Sequence, residues 1–301
     1  MSRRVALWIA FVVVHLGVAA LGFAEPNMPM GDVYIVYEPW SSSALGGDGI
    51  VGVTESWVYP ALALVPMVLT HAFAWLGGYT VGWALFVTGC NALAFWMLVG
   101  SGRSMGRTIA AWFWLGFIAL LGPVGVYRIA AVTVPIAIAG CLWPFGRPRV
   151  AAALFTVGAW VKVWPAALFV AALIVARRRL SVLIVGLVVS VSVVVIAALA
   201  GGITHVLGFV TEQTGRGLQI EAPVSTWWLW QAALDPLHAS LYYDSEILTF
   251  QVKGPLVEVV SALMTPLLAL AVAAVVALGA MKVARGASYA RLMPPLSLAL
   301  V

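Results

Sequence analysis

Apolar residues recur along this chain in long stretches, separated by short basic turns and by two long polar segments. The stretches lie at about 58–77, 79–100, 108–122, 129–144, 150–163, 165–176, 180–201 and 255–281, after a first from Val5 to Phe23. About twenty apolar residues in an α-helix cross a bilayer core. The pattern therefore predicts a bundle of membrane-crossing helices. The first stretch follows Ser2-Arg3-Arg4, as in a signal peptide, and Gly22-Phe23-Ala24 could serve as a weak cleavage site. Its span length favours a retained first helix. A last stretch begins at Met293 and stops at Val301, too short to cross, so the chain reads as truncated at its C-terminus.

Composition narrows the class. Of 301 residues, 63% are hydrophobic and 9% charged, and the mean hydropathy is +1.05. Soluble domains carry about 25% charged residues, which excludes a soluble enzyme, a disordered tail and a disulfide scaffold. The expected fold is an all-α polytopic integral membrane protein, one transmembrane domain over residues 1–301. The net charge of +5 sets membrane orientation here, and no nucleic-acid partner is expected. Cys90 and Cys141 lie in apolar stretches. His15, His71, His205 and His238 show no ligand spacing. Neither a metal nor a cofactor is expected.

Charge placement is more informative. Ten of the eleven acids fall in residues 24–57 (Glu25, Asp32, Glu38, Asp48, Glu55) and 202–254 (Glu212, Glu221, Asp235, Asp244, Glu246). Glu258 lies just beyond. Twelve of the sixteen Lys and Arg sit in short turns elsewhere. Basic short loops mark the cytoplasmic side, so 24–57 and 202–254 are expected as two extracytoplasmic loops on one face. One conflict arises: two crossings between Val58 and Gly100 would put Arg103 and Arg107 outside. Pro66 and Gly77-Gly78 allow a broken or re-entrant segment there.

Asp32 opens Asp32-Val33-Tyr34-Ile35-Val36-Tyr37. In an α-helix Tyr34 and Tyr37 share a face, with Val33, Val36 and Trp40 toward lipid. Asp32 then either caps the helix or takes a proton from a hydroxyl nucleophile. Trp57-Val58-Tyr59-Pro60 opens the next apolar stretch and reads as an interface anchor. Arg128 and Lys162 are cations at the outer ends of apolar stretches, either snorkelling to headgroups or facing a phosphate. The second loop holds Arg216-Gly217-Leu218-Gln219-Ile220-Glu221 and Trp227-Trp228-Leu229-Trp230, which suit sugar contact, a membrane interface, or both. No GxSxG, phosphate-binding loop or dinucleotide fingerprint is present.

Taken in order, these features resemble a known family. They are a first span, Gly31-Asp32 followed by tyrosines, Tyr59-Pro60, Lys162-Val163-Trp164-Pro165 leading to an Arg cluster, and Arg216-Gly217-Leu218-Gln219-Ile220-Glu221. The chain resembles the actinobacterial polyprenol-phosphate-mannose-dependent α-(1→2)-mannosyltransferases, family 87 of the GT-C superfamily. The resemblance implies a GT-C helical bundle and a metal-independent, inverting transferase at the plasma membrane. It implies a polyprenyl-phosphate mannose donor and a lipid-linked mannoside acceptor on the outer face. Asp32 is then the general base. Arg128, Lys162 and Arg216 hold the donor phosphate, and Tyr34, Tyr37, Tyr59, Glu221 and Trp227 contact sugar or acceptor. The chain departs from the family at Ala61, where a second proline is usual, at Val126, where Gln is common, and at Ala222, where Ser is common. Alternatives are a GT-C transferase of another sugar such as arabinofuranose, a lipid-linked-sugar flippase, and a structural partner of another membrane enzyme.

Overall fold

The computed structural model describes residues 2–24, 28–212, 217–235, 237–245 and 249–301. It is mostly helical, and five of its helices are long and apolar enough to cross a membrane. Contacts divide the chain into two units, Met1–Phe209 with Lys282–Val301, and Val210–Met281.

In the first unit α1 (Arg3–Ala24) is followed by a π-helical turn (Asp32–Tyr37) and α2 (Glu38–Gly46), which ends at Gly47 with φ +84°. A broken helical segment comes next: a 3₁₀ turn, α3 (Leu64–Thr70) and a second 3₁₀ turn (His71–Leu76). Then come α4 (Tyr79–Val99), α5 (Met105–Tyr127), α6 (Ala130–Leu142), α7 (Pro148–Val161), α8 (Pro165–Val175) and α9 (Arg179–Leu199). The starts are legible in the residues. Ser104 accepts from the Arg107 N–H at the head of α5, and Pro148 and Pro165 open α7 and α8, where a missing N–H costs nothing.

The core sets the direction of each helix. Leu7 and Phe11 of α1 pack with Phe95 and Leu98 of α4 and with Ala111 and Leu115 of α5. At the other end Gly22 abuts the ring of Tyr127, and Trp83 donates its indole N–H to the Tyr127 carbonyl at 2.7 Å. Thus α1 and α5 run together and α4 runs against them. Backbone polar groups are paired within helices, as an apolar surrounding requires. Leu120 and Leu199, 88% and 84% exposed, belong to an extensive apolar outer surface.

This arrangement resolves the conflict over residues 58–100. Residues 61–76 form a short, broken helical segment rather than one long helix. The Tyr79 hydroxyl donates to the Met67 carbonyl at 3.0 Å, and Gly82 lies against the backbone of Thr70–Ala74. The segment folds back on the start of α4, with its breaks at Pro66 and at Gly77-Gly78, where φ is +151° and +91°. Only α4 runs the length of the bundle between α3 and α5, so Gly102 meets Arg4. Arg103 and Arg107 therefore join Arg3 and Arg4 at one end of the bundle. Arg149 and Ser181, bonded at 2.6 Å, lie where α7 and α9 begin, at that same end.

The second unit holds the end of α10 (Gly208–Thr211), α11 (Thr226–Leu234), an antiparallel hairpin of β1 (Ser240–Asp244) and β2 (Thr249–Lys253), and most of α12 (Val257–Ala284). Ser240 pairs with Lys253 and Asp244 with Thr249. This hairpin is a β element in a chain expected to be all helix. Short α13 (Tyr289–Leu300) belongs to the first unit and packs on α8.

Candidate functional site

Three residues singled out from sequence meet in the first unit. The Asp32 carboxylate lies 3.4 Å from Arg128 Nε, both side chains about half exposed. The ammonium of Lys162 is close enough to both for their charges to act on it in opposite senses. Lys162 Nζ also sits 5.7 Å from the centre of the Tyr59 ring, a cation–π distance. Asp32 does not cap its helix: it is the first helical residue, Gly31 stands at the cap, and no side chain bonds there.

The backbone around each group is held. Gly122 takes φ +60° and ψ −147°, which breaks α5 just before Pro123 and swings residues 123–127 off the helix axis. Arg128 follows in extended conformation, and both peptides beside it are fixed. Trp83 binds the Tyr127 carbonyl, and the Ile129 N–H donates to the Tyr37 hydroxyl at 3.0 Å. Tyr37 belongs to the same π-helical turn as Asp32. That turn therefore grips the Arg128 segment twice, by a buried hydroxyl and by a carboxylate. π-Helical turns recur at functional sites.

The wider turn also corrects a sequence-based expectation. Val33 and Tyr37, 0% and 1% exposed, point into the core. Val36 and Trp40 are half-buried against it, so neither they nor Val33 face lipid. Tyr34 packs partly against the same core. Burial, reinforced by Tyr59 and Asp32 nearby, pushes the Tyr37 phenol above its ordinary range and keeps it neutral. Tyr37→Phe should leave the Ile129 N–H buried and unpaired, at a cost of about 1–3 kcal/mol. Thermal unfolding in detergent measures that loss.

Lys162 ends α7 in extended conformation, just before the Trp164-Pro165 start of α8. Trp164 donates its indole N–H to the Thr133 hydroxyl at 2.8 Å, and that hydroxyl donates to the Ala130 carbonyl at 2.6 Å. The first turn of α6 thus ties the Lys162 turn to the Arg128 turn. Desolvation by burial, then the Arg128 charge, pulls the Lys162 ammonium below its ordinary range, while Asp32 opposes the shift.

Beside Lys162, Trp40, Trp57 and Tyr59 pack edge to face with ring centres 5.2–6.1 Å apart. Trp57, expected as an interface anchor, is 3% exposed and part of the core. The first unit also holds an apolar cavity of about 480 Å³, lined by no charged residue. Leu62, Val132 and Val161 line it near the Arg128 and Lys162 turns, and Met97 and Trp143 toward the basic end. Val161, the chain neighbour of Lys162, is the link between the lining and the charged cluster.

Neither a protein-family model nor a curated protein nor a solved structure matches this chain. The site is therefore read from its own geometry.

Of the remaining sequence candidates, Glu221 is exposed in the second unit. There Trp227 is 66% exposed. Arg216 lies outside the described residues. Sequence reasoning missed Trp83, Thr133 and the indole of Trp164, whose hydrogen bonds fix the turns. The Gly122-Pro123 pair was the one local sign of a break ahead of Arg128.

Proposed function

We propose that this chain is a membrane glycosyltransferase of the GT-C kind. It moves mannose from a polyprenyl-phosphate donor to a lipid-linked mannoside on the extracytoplasmic face of the plasma membrane. The observation that carries this reading is the convergence of Arg128 and Lys162 on the Asp32 carboxylate, with an apolar cavity lined by Val132 and Val161 in the same unit. An amphiphile with an anionic head and a long apolar tail is the ligand such a site fits. The basic turns at the opposite end of the bundle support an outward orientation.

In the reaction, an acceptor hydroxyl attacks the anomeric carbon from the face opposite the phosphate. The carbon–oxygen bond to phosphate breaks, polyprenyl phosphate leaves, and configuration inverts. Asp32 takes the hydroxyl proton. Arg128 and Lys162 stabilise the charge gathering on the leaving phosphate. Arg128 pairs with Asp32. A donor phosphate competes for that guanidinium and turns it from the carboxylate, leaving Asp32 for the acceptor.

Burial places a sign on the pH dependence. The Lys162 ammonium gives up its proton at a lower pH than an exposed lysine, so binding of a polyprenyl-phosphate lipid should weaken on the alkaline side. Lys162→Arg keeps its charge there, because a guanidinium does not deprotonate in this range. Titrating lipid binding against pH for both proteins should show the alkaline fall in the parent only. A fall of equal position in both would place the titration elsewhere.

Donor choice is tested separately. Unlabelled polyprenyl-phosphate mannose should suppress transfer of labelled mannose far better than polyprenyl-phosphate arabinofuranose. The reverse order would make this a transferase of another sugar. A transporter is disfavoured because its essential polar groups belong near the bilayer midplane on broken helices. Here the ionisable groups of the first unit's site gather at one end of the bundle.

A further inference from the structure

The second unit carries an apolar face that the proposed reaction does not use. α11 contains no charged residue. Trp227, Trp230 and Leu234, at i, i+3 and i+7, share one side of it. They are 66%, 65% and 81% exposed. On the opposite side Trp228 is buried among Leu218, Ala239, Val252 and Val257. Its indole N–H donates to the Pro255 carbonyl at 2.9 Å. Gly254 approaches that ring so closely that a Cβ would come within 2.7 Å of Trp228 Cδ1. The next residue but one, Leu256, is held at φ +63°, a conformation that persists only where surrounding contacts fix it. α11 is thereby fastened to the first turn of α12.

That fastening sets its depth. α12 is 28 residues long, and none of its most apolar window is buried within the protein. A helix so long and so bare crosses the bilayer. Its first residues therefore lie where the apolar core gives way to headgroups, and α11 lies beside them. Leu256 and Val259, 71% and 55% exposed, continue the apolar surface from α11 onto α12. Indole rings favour this zone because an apolar body and a polar N–H are both satisfied there. Trp227, Trp230 and Leu234 offer no carboxylate or amide to a sugar hydroxyl.

We propose that α11 is an interfacial anchor, with Trp227, Trp230 and Leu234 inserted at the headgroup–acyl boundary of the lipid bilayer. The occupant of this face is lipid, and the anchor holds the second unit at the membrane surface.

The test places an environment-sensitive fluorophore on Leu234→Cys and, separately, on Trp230→Cys, in the full chain carrying Cys90→Ala and Cys141→Ala. Both proteins are reconstituted in phosphatidylcholine vesicles, with Glu221→Cys as the exposed reference in the same unit. Both labels should emit blue-shifted from the reference. Nitroxide on the upper acyl chain should quench them, and aqueous iodide should not. A label at either position that emits as in water and is quenched by iodide overturns the proposal. Shielding of the labels by an added soluble mannoside, without nitroxide quenching, overturns it too and makes the face a sugar platform.

Discussion

Asp32→Asn should slow sugar transfer by about 10²–10⁴-fold, the usual contribution of a general base, while donor binding holds or tightens modestly, because an amide competes less than a carboxylate for Arg128. Asparagine matches aspartate in shape and keeps an oxygen for Arg128, so the double grip of the π-helical turn on the Arg128 segment survives. What it loses is the capacity to take a proton. Transfer rate and donor affinity, measured on the same preparation, separate the two effects. A helix-capping aspartate would give a different result, a loss of stability with transfer per folded molecule unchanged. Asp32 bonds no helix-end N–H, so the kinetic outcome is expected.

Lys162→Met should reduce transfer by about 10²–10³-fold, the scale found when one preorganised charge-stabilising group is removed. The same variant should unfold at a higher temperature than the parent. Burial depresses the Lys162 ammonium. The folded protein thus bears at neutral pH the cost of desolvating a charge, a cost relieved only as pH rises through the lysine range. Methionine keeps the length and removes that cost. Opposite movements of activity and stability mark a cation retained for its ligand. A snorkelling lysine would show neither, since its head would already lie in water. Thermal unfolding and transfer assays on matched samples read both quantities.

The sequence carried the chemistry of this site better than its architecture. Asp32, Arg128 and Lys162 stood out because charges beside apolar stretches are costly unless they face a partner, and the three do converge. Their supports were invisible because each is a long-range pairing of ordinary residues. Nothing local in Trp83 says that its N–H will hold the Tyr127 carbonyl, or in Thr133 that it will receive the indole of Trp164. The π-helical turn over 32–37 was hidden for another reason. An α-helical period sets Tyr37 on one face with Tyr34, and the wider turn brings Val33 inward with Tyr37. Residues 61–76 show the reverse case. Their hydropathy suits a span, yet Pro66 and the left-handed glycines at 77 and 78 turn them back on α4. Hydropathy reports what lipid tolerates, while backbone breaks decide what crosses.

The second unit was legible in composition and not in form. Clustered tryptophans beside acids read as a sugar platform, as an interface, or as both. The burial of Trp228 against Val257, with Trp227 and Trp230 left exposed, separates the roles within one tripeptide-spaced cluster.

The central claim is that the Asp32, Arg128 and Lys162 cluster transfers mannose from a lipid phosphate. Vesicles carrying the purified chain, given radiolabelled polyprenyl-phosphate mannose and a mixed mannolipid acceptor, test it most directly. Label should pass from the donor into the mannolipid fraction, and vesicles with Asp32→Asn or without protein should show almost none. Label that stays on the donor in the presence of folded parent protein, or that moves equally with Asp32→Asn, would contradict the account.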